Sequence, residues 1–229
     1  MKRIQATDRA RAVFNSLKKR PGVVTTQSYL RLEQPLGTQG NIQFEVLINQ
    51  GQQTANERRL AITDAFTVTS LSVVIYKKAS GGNISAAKLD TFPNPLTYVG
   101  AGEANALQAI YNGYLTVRVN SVIYIDSLDI YRFYRAGVAQ RGVETTTTPS
   151  VYLASEWSKG DYPFYSLTPG IRLSGATKND LNITLPESVA MAGTAGSTNY
   201  AVLYLRGFLE QNGAQFNAAA ARRELTVVG

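Results

Sequence analysis

Two stretches of this chain alternate apolar and polar residues with a period of two, a pattern that fits a half-buried β-sheet. In residues 41–49 (NIQFEVLIN), Ile42, Phe44, Val46 and Ile48 fall on one side and Asn41, Gln43 and Glu45 on the other. Residues 114–120 (YLTVRVN) repeat it, with Leu115, Val117 and Val119 opposite Thr116 and Arg118. Successive side chains of a strand point to opposite faces, so each stretch predicts an antiparallel strand with one face in a core. Further strands are expected at 29–32, 66–77, 122–125, 128–133, 171–173, 181–185 and 200–209. Within 66–77 the apolar side switches between Val68 and Leu71, which predicts a bulge near Thr69 and Ser70. Residues 200–209 (YAVLYLRGFL) are apolar on both sides, as in a central strand covered twice.

Helical signal in the body is confined to 103–111 (EANALQAIY) and 218–225 (AAAARREL). Long polar or glycine-rich connections fall at 51–57, 79–87, 138–150 and 190–199, with the threonine run 145–148 expected as an exposed loop. Asp126 and Asp129 are expected to bracket a turn between Ile125 and Leu128. No linker divides residues 23–229. The reading is an all-β fold, an antiparallel β-sandwich with Greek-key or jelly-roll wiring, preceded by a separate arm over residues 1–22.

The chain has 229 residues and neither histidine nor cysteine. That removes Ser-His-Asp and Cys-His nucleophiles, and with them the Cys/His ligand sets of zinc, haem and iron–sulfur centres. It also removes disulfides, so packing and assembly must supply stability. Charged residues are 17% of the total against about 25% in ordinary domains, which suits a surface covered by neighbours. No GxxxxGK, GxSxG or GxGxxG motif is present, and no DxDxDG-like calcium loop. A carboxylate pair at Asp126 and Asp129 is the remaining route to catalysis, and the turn reading is preferred. The expectation is a non-enzymatic protein without cofactor, metal or small-molecule substrate.

Charge is concentrated at one end. Residues 1–20 hold Lys2, Arg3, Arg9, Arg11, Lys18, Lys19 and Arg20 against Asp8, a net +6 of the chain's +7. Ala6, Ala10, Val13, Phe14 and Leu17 fall on one narrow stripe at helical spacing, and Pro21-Gly22 stops the pattern. A short basic amphipathic helix is expected over 3–20. Three uses stay open for it: docking its stripe on a neighbour or on its own body, facing packaged nucleic acid, or lying on an anionic membrane.

Two aromatic sites stand out in the body. Tyr131, Arg132, Phe133, Tyr134 and Arg135 interleave rings and guanidiniums, a composition found at protein interfaces and on single-stranded nucleic acid platforms, and also on an ordinary core-facing sheet. Trp157 lies in a polar stretch (SEWSKGDY) and is a candidate surface contact or sugar-binding ring, unless it simply anchors its loop.

The basic arm ahead of a cysteine-free, Tyr/Asn/Thr-rich sandwich, with the blocks YNGYLTVRVNSVIYIDSLDIYRFYRAG (111–137) and LNITLPES…YAVLYLRGFLE (181–210), resembles viral jelly-roll capsid proteins, above all those of tailless bacteriophages. The resemblance implies a coat subunit that forms pentamers, hexamers or a shell with copies of itself and with other virion proteins. It implies an arm bridging neighbours or turned towards packaged nucleic acid or an internal membrane, and a protein made in the host cytoplasm and found in the virion. Tailless phages often fuse two jelly rolls in one subunit, and this chain is short for that. A single-jelly-roll, vertex or accessory coat protein is equally compatible. A nucleic-acid-binding β-barrel and a carbohydrate- or receptor-binding module are the alternatives.

Overall fold

The alternating stretches become paired strands, because pairing satisfies their backbone while burying one side of each. A computed structural model describes residues 6–49, 51, 54, 56–79, 89–135, 138–141, 151–154 and 163–216. Along the chain these form α1 (Ala6–Leu17), β1 (Val24–Pro35), β2 (Thr38–Phe44), β3 (Ala65–Ala79), β4 (Leu89–Asp90), α2 (Glu103–Tyr111), β5 (Tyr114–Val119) and β6 (Val122–Asp129). A 3-10 turn (Ile130–Phe133), β7 (Val138–Arg141), β8 (Val151–Ala154), β9 (Tyr165–Ser174), β10 (Asn179–Ala190) and β11 (Ser197–Gln211) follow.

Two antiparallel sheets face one another. The first runs β1-β11-β3, with β9 and the short β4 both pairing β3. The second runs β2-β10-β5-β6. The β7–β8 hairpin is separate. Between the sheets Leu30, Leu32, Leu71, Val73, Ile75, Leu203 and Leu205 meet Ile42, Phe44, Leu115, Val117, Leu181 and Ile183 in one core. Each such side chain contributes about 1.5–3 kcal/mol by leaving water. α2 closes one end, with Leu107, Ile110 and Tyr111 in the same core.

The switch of apolar side in β3 has a structural cause. Arg206 of β11 pairs with Ser70 and the next residue, Gly207, pairs with Val68, so Thr69 has no partner in that register. Phe66 and Val68 before the bulge, and Leu71 and Val73 after it, therefore all reach the core. Glycine is required opposite: a Cβ on Gly207 would run into the Thr67 carbonyl oxygen.

Other expectations change. Of the strand expected at 128–133, Leu128 and Asp129 belong to β6 and Ile130–Phe133 do not form a strand. β6 continues through Asp126 to Asp129, so no turn separates Ile125 from Leu128. The chain then curls, because the Asp129 carboxylate accepts the Tyr131 N–H at 2.9 Å and caps the 3-10 turn. β6 accommodates the extra length with two register shifts against β5. Residues 138–150 are not all connection, since Val138–Arg141 pairs with Val151–Ala154. α1 ends at Leu17, and Lys18, Lys19 and Arg20 form the turn that leads into β1. The helix expected at 218–225 and the loop at 145–148 lie outside the described residues.

Candidate functional site

The outward positions of the central strand β11 carry more chemistry than any other line of residues described. From one end they read Tyr200, Val202, Tyr204, Arg206, Phe208 and Glu210, and each recruits a different partner.

At the first end Tyr200 stacks on Tyr76 at 4.9 Å, and Val74, Tyr76 and Val202 make a small second cluster outside the main core. The Tyr76 hydroxyl donates to Glu33 at 3.1 Å, and Thr54 donates to the same carboxylate oxygen at 2.6 Å. Glu57 accepts the Glu33 N–H at 3.0 Å and is itself held by Arg59 at 2.9 Å. Burial, followed by the Glu33 charge, pushes the Tyr76 phenol well above its ordinary value and raises that of Tyr200.

In the middle lies a continuous ladder of rings and guanidiniums. Arg58 sits over Tyr29 at 5.1 Å, Tyr29 meets Tyr204 at 6.3 Å, Tyr204 meets Phe164 at 6.3 Å, and Arg206 covers Phe164 at 3.5 Å. Beneath it, Arg31 lies 5.5 Å from both Tyr204 and Tyr76, donates to the Tyr204 hydroxyl at 3.1 Å and pairs with Glu33. Four separate segments supply this ladder. β1 brings Tyr29 and Arg31, a strand-like bridge to Arg31 brings Arg58, the lead into β9 brings Phe164, and β11 brings the rest. Tyr29, Arg58 and Arg206 are exposed.

Beyond the ladder α1 lies on the sheet. Phe14 meets Phe208 at 5.4 Å, and Leu17 is 1% exposed. At the far end Glu210 is fully buried among Arg172, Arg20 and the Thr67 hydroxyl, the last at 2.7 Å. Arg172 also reaches the Phe216 carbonyl at 2.9 Å. A buried carboxylate is tolerated here because cations and donors surround it.

The arm residues thus separate. Arg20 is turned inward onto Glu210, while Arg11, Lys18 and Lys19 are exposed. Arg9 belongs to α1, and Lys2 and Arg3 lie outside the described residues. The 131–135 segment separates as well. Phe133 is core, Tyr131 is exposed and stacks on the half-buried Tyr134 at 5.6 Å, and the exposed Arg132 covers Tyr165 at 4.2 Å. Arg135 and Thr91 exchange two backbone-anchored bonds, which tie this segment to residue 91. Trp157 lies outside the described residues. The ladder was missed because it joins residues up to 177 positions apart, and its one sequence signal was the aromatic outer side of 200–209.

At the other end of the first sheet, Glu103 at the start of α2 is held by Lys77 at 2.9 Å, Asn199 at 2.8 Å and the Gly100 N–H at 2.9 Å. Burial raises the Glu103 pKa, but these bonds and the Lys77 charge outweigh it and bring it below the ordinary carboxylate value. Among the described residues no three carboxylates gather as a metal site, and no helix is long and apolar enough to cross a membrane.

The outer side of the second sheet offers little by contrast. The exposed Asn41, Gln43 and Arg118 and the half-buried Thr116, Asn182 and Thr184 form a polar surface. Its edge strand β6 exposes Val122, Ile123, Asp126 and Asp129, next to the exposed Tyr114 of β5. No protein-family model and no curated protein sequence matches the chain.

Proposed function

We propose that this protein is a virion structural protein, a coat subunit that assembles with copies of itself, and that its sandwich is a jelly roll. The observation that carries this reading is the wiring. Taking the eight long strands in order, the first pairs with the last (β1 with β11), the second with the seventh (β2 with β10), the third with the sixth (β3 with β9) and the fourth with the fifth (β5 with β6). That is a folded antiparallel ribbon rolled into two four-stranded layers, the arrangement common to many capsid shells. The arm favours the same reading: α1 is pinned to its own body by Leu17 and Arg20, while Arg11, Lys18 and Lys19 stay exposed. These exposed cations suit the particle interior or a neighbouring subunit.

The test is mass in solution by light scattering at low and high salt. Pentamers, hexamers or shells that persist in high salt are expected. A monomer at both salts and at every concentration would overturn the reading. The ladder favours one second reading, a platform for single-stranded nucleic acid, in which rings and arginines track a strand. Binding of that kind would fall steeply with salt.

A further inference from the structure

Two surfaces of this molecule carry opposite charge that no ion pair among the described residues neutralises. On the ladder, Arg58 and Arg206 are exposed, and among the described residues no carboxylate pairs with either. On the β6 edge, Asp126 and Asp129 are exposed, and among the described residues no cation pairs with either. Each surface also exposes apolar or aromatic side chains: Tyr29 on the ladder, and Val122, Ile123 and Tyr114 at the edge.

We propose that the ladder of one copy receives the β6 edge of a second copy, with Arg58 and Arg206 holding Asp126 and Asp129. This rests on the coat-subunit reading and names the surfaces that would join subunits. The spacing is compatible. Arg58 bridges to Arg31, Arg31 faces Tyr204, and Arg206 is two residues further along β11, which places the two arginine backbones about 12 Å apart by strand geometry. Asp126 and Asp129 are three residues apart on β6, and the register shift between them draws their backbones to about 7 Å, a difference that the long arginine side chains can span.

The chemistry selects carboxylates over bases. Tyr29, Tyr204 and Phe164 each already have a guanidinium against one ring face, which leaves less ring surface on which a base could stack. A stacked guanidinium keeps its N–H edge free, and that edge matches a carboxylate. The two register shifts also make β6 a poor template for strand addition, which leaves recognition to its side chains. The contact joins two different surfaces, so it is head-to-tail and can close into a ring.

The test uses three full-length variants whose folding is checked by circular dichroism: Arg58→Glu with Arg206→Glu, Asp126→Arg with Asp129→Arg, and all four together. Sedimentation velocity across a concentration series gives the midpoint of assembly. Each pair alone should raise that midpoint about tenfold or more, since like charges then meet, and the fourfold variant should return close to wild type. Assembly of the wild type with either pair leaving the midpoint unchanged would overturn the proposal. So would a folded fourfold variant that stays dissociated. A wild type that never assembles would overturn the coat-subunit reading itself. A thymidine oligonucleotide of about 20 residues is the probe for the other occupant. If it binds wild type and is lost in the arginine pair while assembly is untouched, the ladder serves nucleic acid and the proposal falls. Should a reversal fail to fold, the neutral pairs Arg58→Gln with Arg206→Gln and Asp126→Asn with Asp129→Asn carry the same comparison.

Discussion

The two sheets share a core but turn very different faces outward. The first sheet's outer side holds buried Glu33 and Glu210, stacked tyrosines, a docked helix and a ring ladder. The second sheet's outer side is asparagine, glutamine and threonine, exposed or half-buried, and among the described residues no helix is docked on it. The difference shows where burying polar groups has been made tolerable. A carboxylate such as Glu210 can be buried because Arg172, Arg20 and Thr67 surround it, and the cost appears when one partner is taken away. The second face has no such commitments, so single changes there should be nearly silent.

The strongest challenge to that contrast is Glu210→Ala, which strands two buried guanidiniums. It should lower unfolding free energy by about 3–5 kcal/mol in urea titration, while Gln43→Ala on the second face stays within about 0.5 kcal/mol. Equal effects would mean that the two faces do not differ as described. Next in size is Leu17→Ala, expected to cost about 2–3 kcal/mol by leaving a hole between α1 and the sheet. It should also open the arm to limited proteolysis before the body, and an unchanged digestion pattern would show that the helix is not held by this contact.

The smallest expected effect is a pH dependence at Glu103. Its folded pKa lies below the unfolded value, so its contribution is present above the unfolded pKa and is lost as pH falls through the folded one. Acid titration of stability should therefore be shallower in Glu103→Gln than in the wild type below about pH 4.5. Identical slopes would mean that the Lys77–Glu103–Asn199 contact contributes nothing in acid.

Much of the sandwich was legible locally. The helix at 103–111 and the strand at 114–119 have the bounds or spacing their periodicity predicts, and the bulge at Thr69 was written into the switch between Val68 and Leu71. β1 was harder. Its first half, VTTQS, has no alternation, and its partners in β11 are what make it a strand. Residues 130–133 were misread because Ile130 and Phe133, three apart, also suit one side of a 3-10 turn, and the Asp129 cap favours the turn. The candidate site was barely legible. The sequence drew attention to residues 131–135, whose Phe133 turned out to be core, and passed over Tyr29, Arg58 and Phe164 because nothing nearby marks them.

By itself, the amino-acid sequence determined which side-chain types are available and the coarse fold class, a mainly antiparallel β-sandwich. It excluded thiol and imidazole chemistry, placed most strands and the helix at 103–111, and gathered the positive charge in the first twenty residues. These are properties of composition and of periods two and 3.6, which are local. Tertiary structure decided which strands pair, which face of β11 is covered, and that Arg20 is turned inward to meet a glutamate 190 residues away. Those outcomes depend on contacts between distant segments, and no local spacing encodes them.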